Sequence, residues 1–158
     1  MRLNIGSGEH RAAGWVNVDV WPDTKPDKVA DVRDLPFADN SAQSIYCGHV
    51  LEHVPFQDIP RTCAELRRVL AQDGQLCVVG PDCDRVLTDP EWESLIDSCE
   101  HGAGRYPSDH HLWRSTGKVM LRELLPFFPD AVEIPVADVD RDVWPLVDDP
   151  GWQFAIVA

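Results

Sequence analysis

Gly6-Ser7-Gly8 follows directly on the short run Leu3-Asn4-Ile5, and Asp19 ends the next apolar run, thirteen positions after Gly6. A glycine turn at the end of a strand lets backbone amides approach a ligand closely. A carboxylate ending the neighbouring strand can accept both hydroxyls of a ribose lying across the strand ends. The dinucleotide fingerprint would add a third glycine and place its acid about 20 residues downstream. Here the third glycine's place falls near His10 or Arg11, and the crossover is too short for a full helix. A pyrophosphate seated on a long helix N-terminus is therefore not expected, and a nucleoside ligand without phosphates is.

A second cluster of chemically capable residues is His49-Val50-Leu51-Glu52-His53. It matches H-x-x-E-H, in which two histidines on one helix face bind zinc beside a catalytic glutamate. The context opposes that reading. His49 follows a strand-like run with Gly48 before it, and Pro55 comes two residues after His53, so no stable helix is expected there. Glu52 and His53 are expected to fix the loop after a strand. Cys99, His101, His110 and His111 have no standard ligand spacing and are expected on a substrate-side loop, so no metal is assigned. Trp92, Trp113 and Trp144 could line an acceptor pocket, but six tryptophans in a small domain are more often core and rim packing, and they are read so.

These residues need a scaffold, and the 158-residue chain, 44% hydrophobic and 26% charged, is of a size and composition to build one domain over residues 1–158. Strand-like runs fall at 3–5, 15–19, 29–32, 44–49 and 75–80, with two more at 132–136 and 152–157. Helical spacing appears from Ile59 to Leu70, where Asp73-Gly74 supplies the stop, and helices are expected from Pro90 to Cys99 and from Ser115 or Thr116 to Leu125. The alternation predicts an α/β architecture. Pro135, which lacks an N–H, places its strand at a sheet edge.

The formal net charge of −13 repels polyanions, so nucleic acid is not expected as a partner. No apolar run reaches the roughly 20 residues of a membrane-spanning helix, and the start of the chain has no apolar stretch behind a basic one. Five cysteines without C-x-x-C spacing read as reduced, buried thiols, and an unexported, cytoplasmic protein is expected.

Taken in order, Leu3-Asn4-Ile5-Gly6-Ser7-Gly8, Gly14-Trp15-Val16-Asn17-Val18-Asp19, Ala30-Asp31-Val32-Arg33-Asp34-Leu35-Pro36-Phe37, Asp39-Asn40-Ser41, Ile45-Tyr46 with His49-Val50-Leu51-Glu52-His53-Val54, and Leu66-Arg67-Arg68-Val69-Leu70 with Asp73-Gly74 and Pro81-Asp82 form a pattern. It resembles the class I S-adenosylmethionine-dependent methyltransferases, in their small type 11-like group. The likeness runs from residue 3 to about 85 and then fades, apart from His110-His111 before the last helix.

The resemblance implies S-adenosylmethionine as cofactor. Gly6 and Gly8, with Ser7 between them, would line its amino-acid end, and Asp19, with Val20 beside it, would hold the ribose. Asp31 and the Val32 amide would read the adenine edge, Leu35 would pack near the ring, and His49 would lie close to the methionine part or the methyl group. It also implies a reduced Rossmann-like methyltransferase fold with a mainly parallel sheet of about seven strands, the last pair at least partly antiparallel, and helices on both faces.

The chain departs from the family in Ala42 and Gln43, where phenylalanine and aspartate are common, and in its short first two connections. Two helices of the full fold must be absent or reduced to a turn. The cofactor site is thus expected to be open, with a second copy of the chain or a partner subunit as the means of closing it. Methyl transfer demands mainly that the nucleophile be placed in line, so no universal catalytic residue follows. For a hydroxyl acceptor, His49, His110 and His111 are the candidate bases by residue type. The activity expected is methyl transfer to a small-molecule or glycan hydroxyl or amine. The alternative is a non-catalytic nucleoside-binding or assembly module on the same fold.

Overall fold

The computed structural model describes residues 1–102, 104, 109–147 and 151–158. Among these, seven strands, β1 (Arg2–Ile5), β2 (Val16–Asp19), β3 (Lys28–Val29), β4 (Ala42–Gly48), β5 (Leu70–Pro81), β6 (Val132–Ile134) and β7 (Gln153–Val157), form one sheet in the order β3-β2-β1-β4-β5-β7-β6. Strands β1 to β5 are mutually parallel, and β7 runs antiparallel to both β5 and β6. The expected α/β sheet, its strand number and its antiparallel last pair are all present. The strand containing residues 132–134 takes the outer edge, and Pro135 follows it directly, as a residue without an N–H should.

Parallel strands need crossovers, and the first three here are short. Residues 6–15 hold no helix, the β2-to-β3 connection has only a 3₁₀ turn at Pro22–Thr24, and residues 30–41 are turns. The expected loss of two helices is therefore real. The first α-helix, α1 (Ile59–Val69), joins β4 to β5, and its buried Ile59, Thr62, Cys63, Leu66 and Val69 recur at helical spacing. Between β5 and β6 come α2 (Cys83–Thr88), α3 (Ile96–His101) and α4 (Gly117–Leu124). Thr116 caps α4 by accepting from Val119 N at 3.2 Å.

Strand alternation sorts the core into two layers. Leu3, Ile5, Val18, Ile45, Val78 and Ile156 face one side and pack with α1 and α4. Tyr46, Cys77, Val79 and Ala155 face the other, where they meet Trp15, Val136, Val139, Trp144 and Val147. Helical cover is thus unequal. The second face is sheathed by the irregular stretch from Pro135 to Val147, which Arg141 staples by donating to the Val136 and Val139 carbonyls. Helices α2 and α3 enclose a small cluster of Cys83, Val86 and Cys99 beyond the end of β5.

Three boundaries differ from the sequence reading. The strand expected at 29–32 stops at Val29, because Asp31 turns the chain by accepting Arg33 N on its side chain and Asp34 N on its carbonyl. The helix expected from Pro90 to Cys99 breaks into a 3₁₀ segment, Pro90–Leu95, and α3. The chain already pairs as β5 at Leu70, with a register shift opposite Ala42, so Asp73-Gly74 lies inside the strand. All five cysteines are free and buried.

Candidate functional site

At the carboxyl ends of the parallel strands lies an open cavity of about 570 Å³. Its floor is the turn after β1. The Gly6 and Ser7 amides both donate to the Val18 carbonyl, at 2.8 and 3.0 Å, which ties the turn to β2. Gly6 has φ +70°, and a Cβ on it would stand 2.0 Å from Val50 Cγ2, so both backbone and space require glycine there. Gly8, at φ +49°, has no heavy atom within 4 Å of where a Cβ would sit. Its open side is the cavity.

Asp19 ends β2 and closes the turn. One carboxylate oxygen accepts Gly8 N at 2.7 Å and the other accepts Trp21 N at 2.8 Å, which fixes the side chain and leaves each oxygen a second lone pair. Ser7 is buried, and its Oγ has no hydrogen-bond partner. A buried hydroxyl left so is costly unless something else meets it.

With no helix after β1, an amide network holds the short connection. Asn4 Nδ2 donates to the His10 carbonyl at 2.9 Å and to Asn17 Oδ1 at 3.0 Å, and Asn17 Oδ1 also accepts Ala12 N. Asn17 in turn donates through its backbone and side chain to Asp27 Oδ2, each at 2.8 Å, which holds the Asp27 carboxyl below its usual range. These asparagines belong to the motifs quoted above, but their bracing role was not foreseen; a polar residue inside an otherwise apolar strand was the available signal.

On the opposite wall, Asp31 accepts Arg33 N and Nε on one oxygen and Nη2 on the other, and Arg33 reaches on to Asp58 at 2.9 Å. The Arg33 hydrogen bonds hold the Asp31 carboxyl low against the opposing effect of burial. Val32 lines the cavity, whereas Leu35 does not; it is buried in the core. Helix α1 pins that loop: Glu65 accepts Leu35 N at 2.7 Å, and Arg68 donates to the Leu35 and Phe37 carbonyls.

His49 stands at the far side with φ +53°, unusual for a residue bearing a Cβ. Gln153 Nε2 lies 2.7 Å from its Nε2, Glu52 Oε1 lies 3.3 Å from its Nδ1, and Trp152 packs across the ring at 5.7 Å between centroids. A neutral imidazole with its proton on Nδ1 satisfies both neighbours. Gln153 and Trp152, at the start of β7, were not identified from the sequence; Gln153 stands out afterwards as the one polar residue of that strand.

The structure thus brings Gly6, Ser7, Gly8, Asp19, Val20, Asp31, Val32 and His49 to one cavity and leaves Leu35 beneath it. Of the two other histidines named as possible bases, neither lines this cavity. His110 is exposed, while His111 lines an adjoining cavity of about 220 Å³ together with Glu52 and Cys99. Burial holds the His111 imidazole below its usual range. Glu52 is 2% exposed; burial pushes its carboxyl up, but His49 and His53 outweigh this and bring it below the ordinary value. The loop role expected of Glu52 and His53 is present as well: the Glu52 carbonyl accepts Leu112 N, and His53 Nδ1 meets the His110 carbonyl.

Comparison with known proteins agrees with this fold. Residues 3–78 match a family model described as a methyltransferase domain. No curated protein gives a significant match to the sequence. Among solved structures, an S-adenosylmethionine-dependent methyltransferase from Archaeoglobus fulgidus is 14% identical with a TM-score of 0.66, over 99% of this chain and 84% of its own. A possible histamine N-methyltransferase from Thermotoga maritima is 14% identical with a TM-score of 0.64, over 99% and 80%. A methyltransferase from Haloferax volcanii, solved in complex with the activator Trm112, is 15% identical with a TM-score of 0.61, over 99% and 79%.

Proposed function

We propose, from the match of residues 3–78 to a methyltransferase-domain family model and from the fold shared with an S-adenosylmethionine-dependent methyltransferase, that the chain uses S-adenosylmethionine and transfers a methyl group to a small-molecule or glycan hydroxyl or amine. The observation that carries this reading is the Asp19 carboxylate, fixed by two backbone amides beside an open glycine turn at the strand ends. The buried, unpartnered Ser7 hydroxyl and the free space over Gly8 suit a ligand whose polar end enters the turn. When bound, S-adenosylmethionine supplies an electrophilic methyl group on a sulfonium.

The chain's own residues would divide the binding work. Asp19 offers its remaining lone pairs to the ribose hydroxyls, with Val20 against the sugar, and Gly6, Ser7 and Gly8 receive the amino-acid end. Asp31 spends three acceptor positions on Arg33 and keeps about one for an exocyclic amine, beside the Val32 amide. Leu35 supports that wall from the core instead of touching the ring. His49, held between Gln153 and Glu52, faces the place where an acceptor would lie.

The 158 residues are read as one domain. Exposed Val20 and Val29, near the sheet's β3 edge, support closure of the open end by a second copy of the chain or a partner subunit. No helix among the described residues is long and apolar enough to cross a membrane. Five free, buried thiols support a reducing, cytoplasmic setting. The net charge of −13 supports an acceptor other than nucleic acid.

Calorimetric titration with S-adenosylmethionine and S-adenosylhomocysteine tests the reading. The wild type binds both, and Asp19→Ala loses at least tenfold in affinity, with Asp19→Asn separating charge from shape. Failure of the folded wild type to bind either ligand overturns it. Binding without methyl transfer to any acceptor class would favour the non-catalytic nucleoside-binding module.

A further inference from the structure

The small cavity beside the main one holds a constellation to which the proposed cofactor contacts assign no role. Glu52 and His53 sit on the 3₁₀ turn Leu51–His53 after β4, and His111 lies on the segment leading to α4. Leu112 N bonded to the Glu52 carbonyl at 2.8 Å, and Trp113 Nε1 bonded to the Leu51 and Val54 carbonyls, clamp the two segments together. One potential ligand atom from each of Glu52, His53 and His111 lies within 4.8 Å of the others. Donors at 2.0–2.1 Å around a tetrahedral ion stand about 3.4 Å apart, so shifts of about 1 Å would close the set.

The protonation pattern is that of a ligand set. His53 Nδ1 is 3.0 Å from the His110 carbonyl, and His111 Nδ1 is 2.6 Å from the Cys99 carbonyl. A carbonyl oxygen only accepts, so both Nδ1 atoms carry a hydrogen, and Nε2 is the atom each ring can offer to a metal; that of His53 stands 3.7 Å from Asp109 Oδ1. Metal-bound histidines are oriented by this kind of second hydrogen bond. The third member is a carboxylate 98% removed from solvent, and its Oε1 has only the 3.3 Å contact with His49 Nδ1 to offset that burial. A buried carboxylate is expensive, and a cation beside it offsets the penalty.

We propose that Glu52, His53 and His111 bind one divalent transition-metal ion of the kind that imidazole and carboxylate favour, such as Zn²⁺ or Co²⁺. Two imidazoles and one carboxylate leave at least one coordination position open. His53, His49, Asp109 and Trp152 line both cavities, so that position lies on the border of the main one. An oxygen donor of a bound acceptor is the chemistry that fits it; this role rests on the methyltransferase reading, whereas the binding of the ion does not.

The H-x-x-E-H motif thus matters in a way its helical reading misses. His49 is turned to Gln153 and Trp152, and His111, 58 positions after His53, takes the place that a helix would have given it.

The test is titration of chelator-stripped protein with Co²⁺, followed by visible ligand-field absorption, with competition by Zn²⁺. One equivalent is expected to bind and to be displaced by Zn²⁺. Glu52→Gln and His111→Ala should each weaken binding at least tenfold, while His101→Ala should not change it. If buried Glu52→Gln fails to fold, the half-buried His111→Ala carries the test. Absence of binding by the folded wild type, or equal binding by wild type and both variants, overturns the site. Titration of the same samples with S-adenosylhomocysteine keeps the two readings apart. Nucleoside binding without metal binding removes the metal site alone, and metal binding without nucleoside binding removes the methyltransferase reading alone.

Discussion

Gly6 and Gly8 have similar positive φ angles and opposite surroundings, and that difference separates stability from binding. Alanine at position 6 must adopt φ +70° and drive its Cβ into Val50, so Gly6→Ala is expected to destabilise the fold by about 2–4 kcal/mol. Alanine at position 8 meets only the backbone penalty, roughly 1 kcal/mol, but its methyl occupies the cavity. Urea denaturation should rank Gly6→Ala as the more damaging change, and calorimetry should show Gly8→Ala losing nucleoside affinity while still folded. Residues of this kind were legible in the sequence because glycine and a strand-ending carboxylate are constrained by backbone geometry alone. The Glu52, His53 and His111 set was not, because its members meet only through a clamp between segments nearly sixty residues apart. Gln153 and Trp152 escaped notice for the same reason: β7 reaches the site by pairing with β5, which local pattern cannot reveal.

At the scale of elements, α1 does work that the missing helices would share. Its Glu65 and Arg68 hold the 35–39 loop, and Arg33 ties that loop back through Asp31 and Asp58. The Arg68 hydrogen bonds keep the Glu65 carboxyl below its ordinary 4.5, and those of Arg33 keep Asp31 below 3.8. A folded-state pKa below the unfolded one means the stabilisation is complete above the unfolded value and is lost as the pH falls through the folded one. Urea midpoints should therefore fall on acidification below about pH 4, and Glu65→Gln should show a shallower decline together with a loss of about 1 kcal/mol at pH 7. Equal pH dependence in wild type and variant would remove this brace from the account. Periodicity located α1 and α4 and most strands within a few residues. It failed at Val29 and at Pro90–Leu95, where Asp31 and Asp89 side chains capture backbone amides and end or tighten the element.

Across the whole molecule, the sheet separates a helix-covered layer from one covered by the irregular stretch from Pro135 to Val147, and cysteines report on both. Cys47 and Cys63 lie in the first layer and Cys77 in the second. Burial pushes the Cys63 and Cys77 thiols up to about 12 and Cys47 well above its ordinary value, so none supplies an appreciable thiolate near neutral pH. Each becomes reactive only when its layer opens. If one cooperative unit spans both layers, alkylation followed by mass spectrometry across a urea series should modify all three with a common midpoint. A cover with one 3₁₀ turn, Val136–Asp138, and no α-helix, braced by Arg141 and by the Trp15–Trp144 contact at 6.0 Å, is the weaker of the two by its lack of an α-helical hydrogen-bond ladder. Modification of Cys77 at lower urea than Cys47 and Cys63 would show that the cover opens by itself. The reading of residues 1–158 as one domain would then give way to a sheet with a separately melting flank, whose Leu146 lines the edge of the main cavity together with Tyr46.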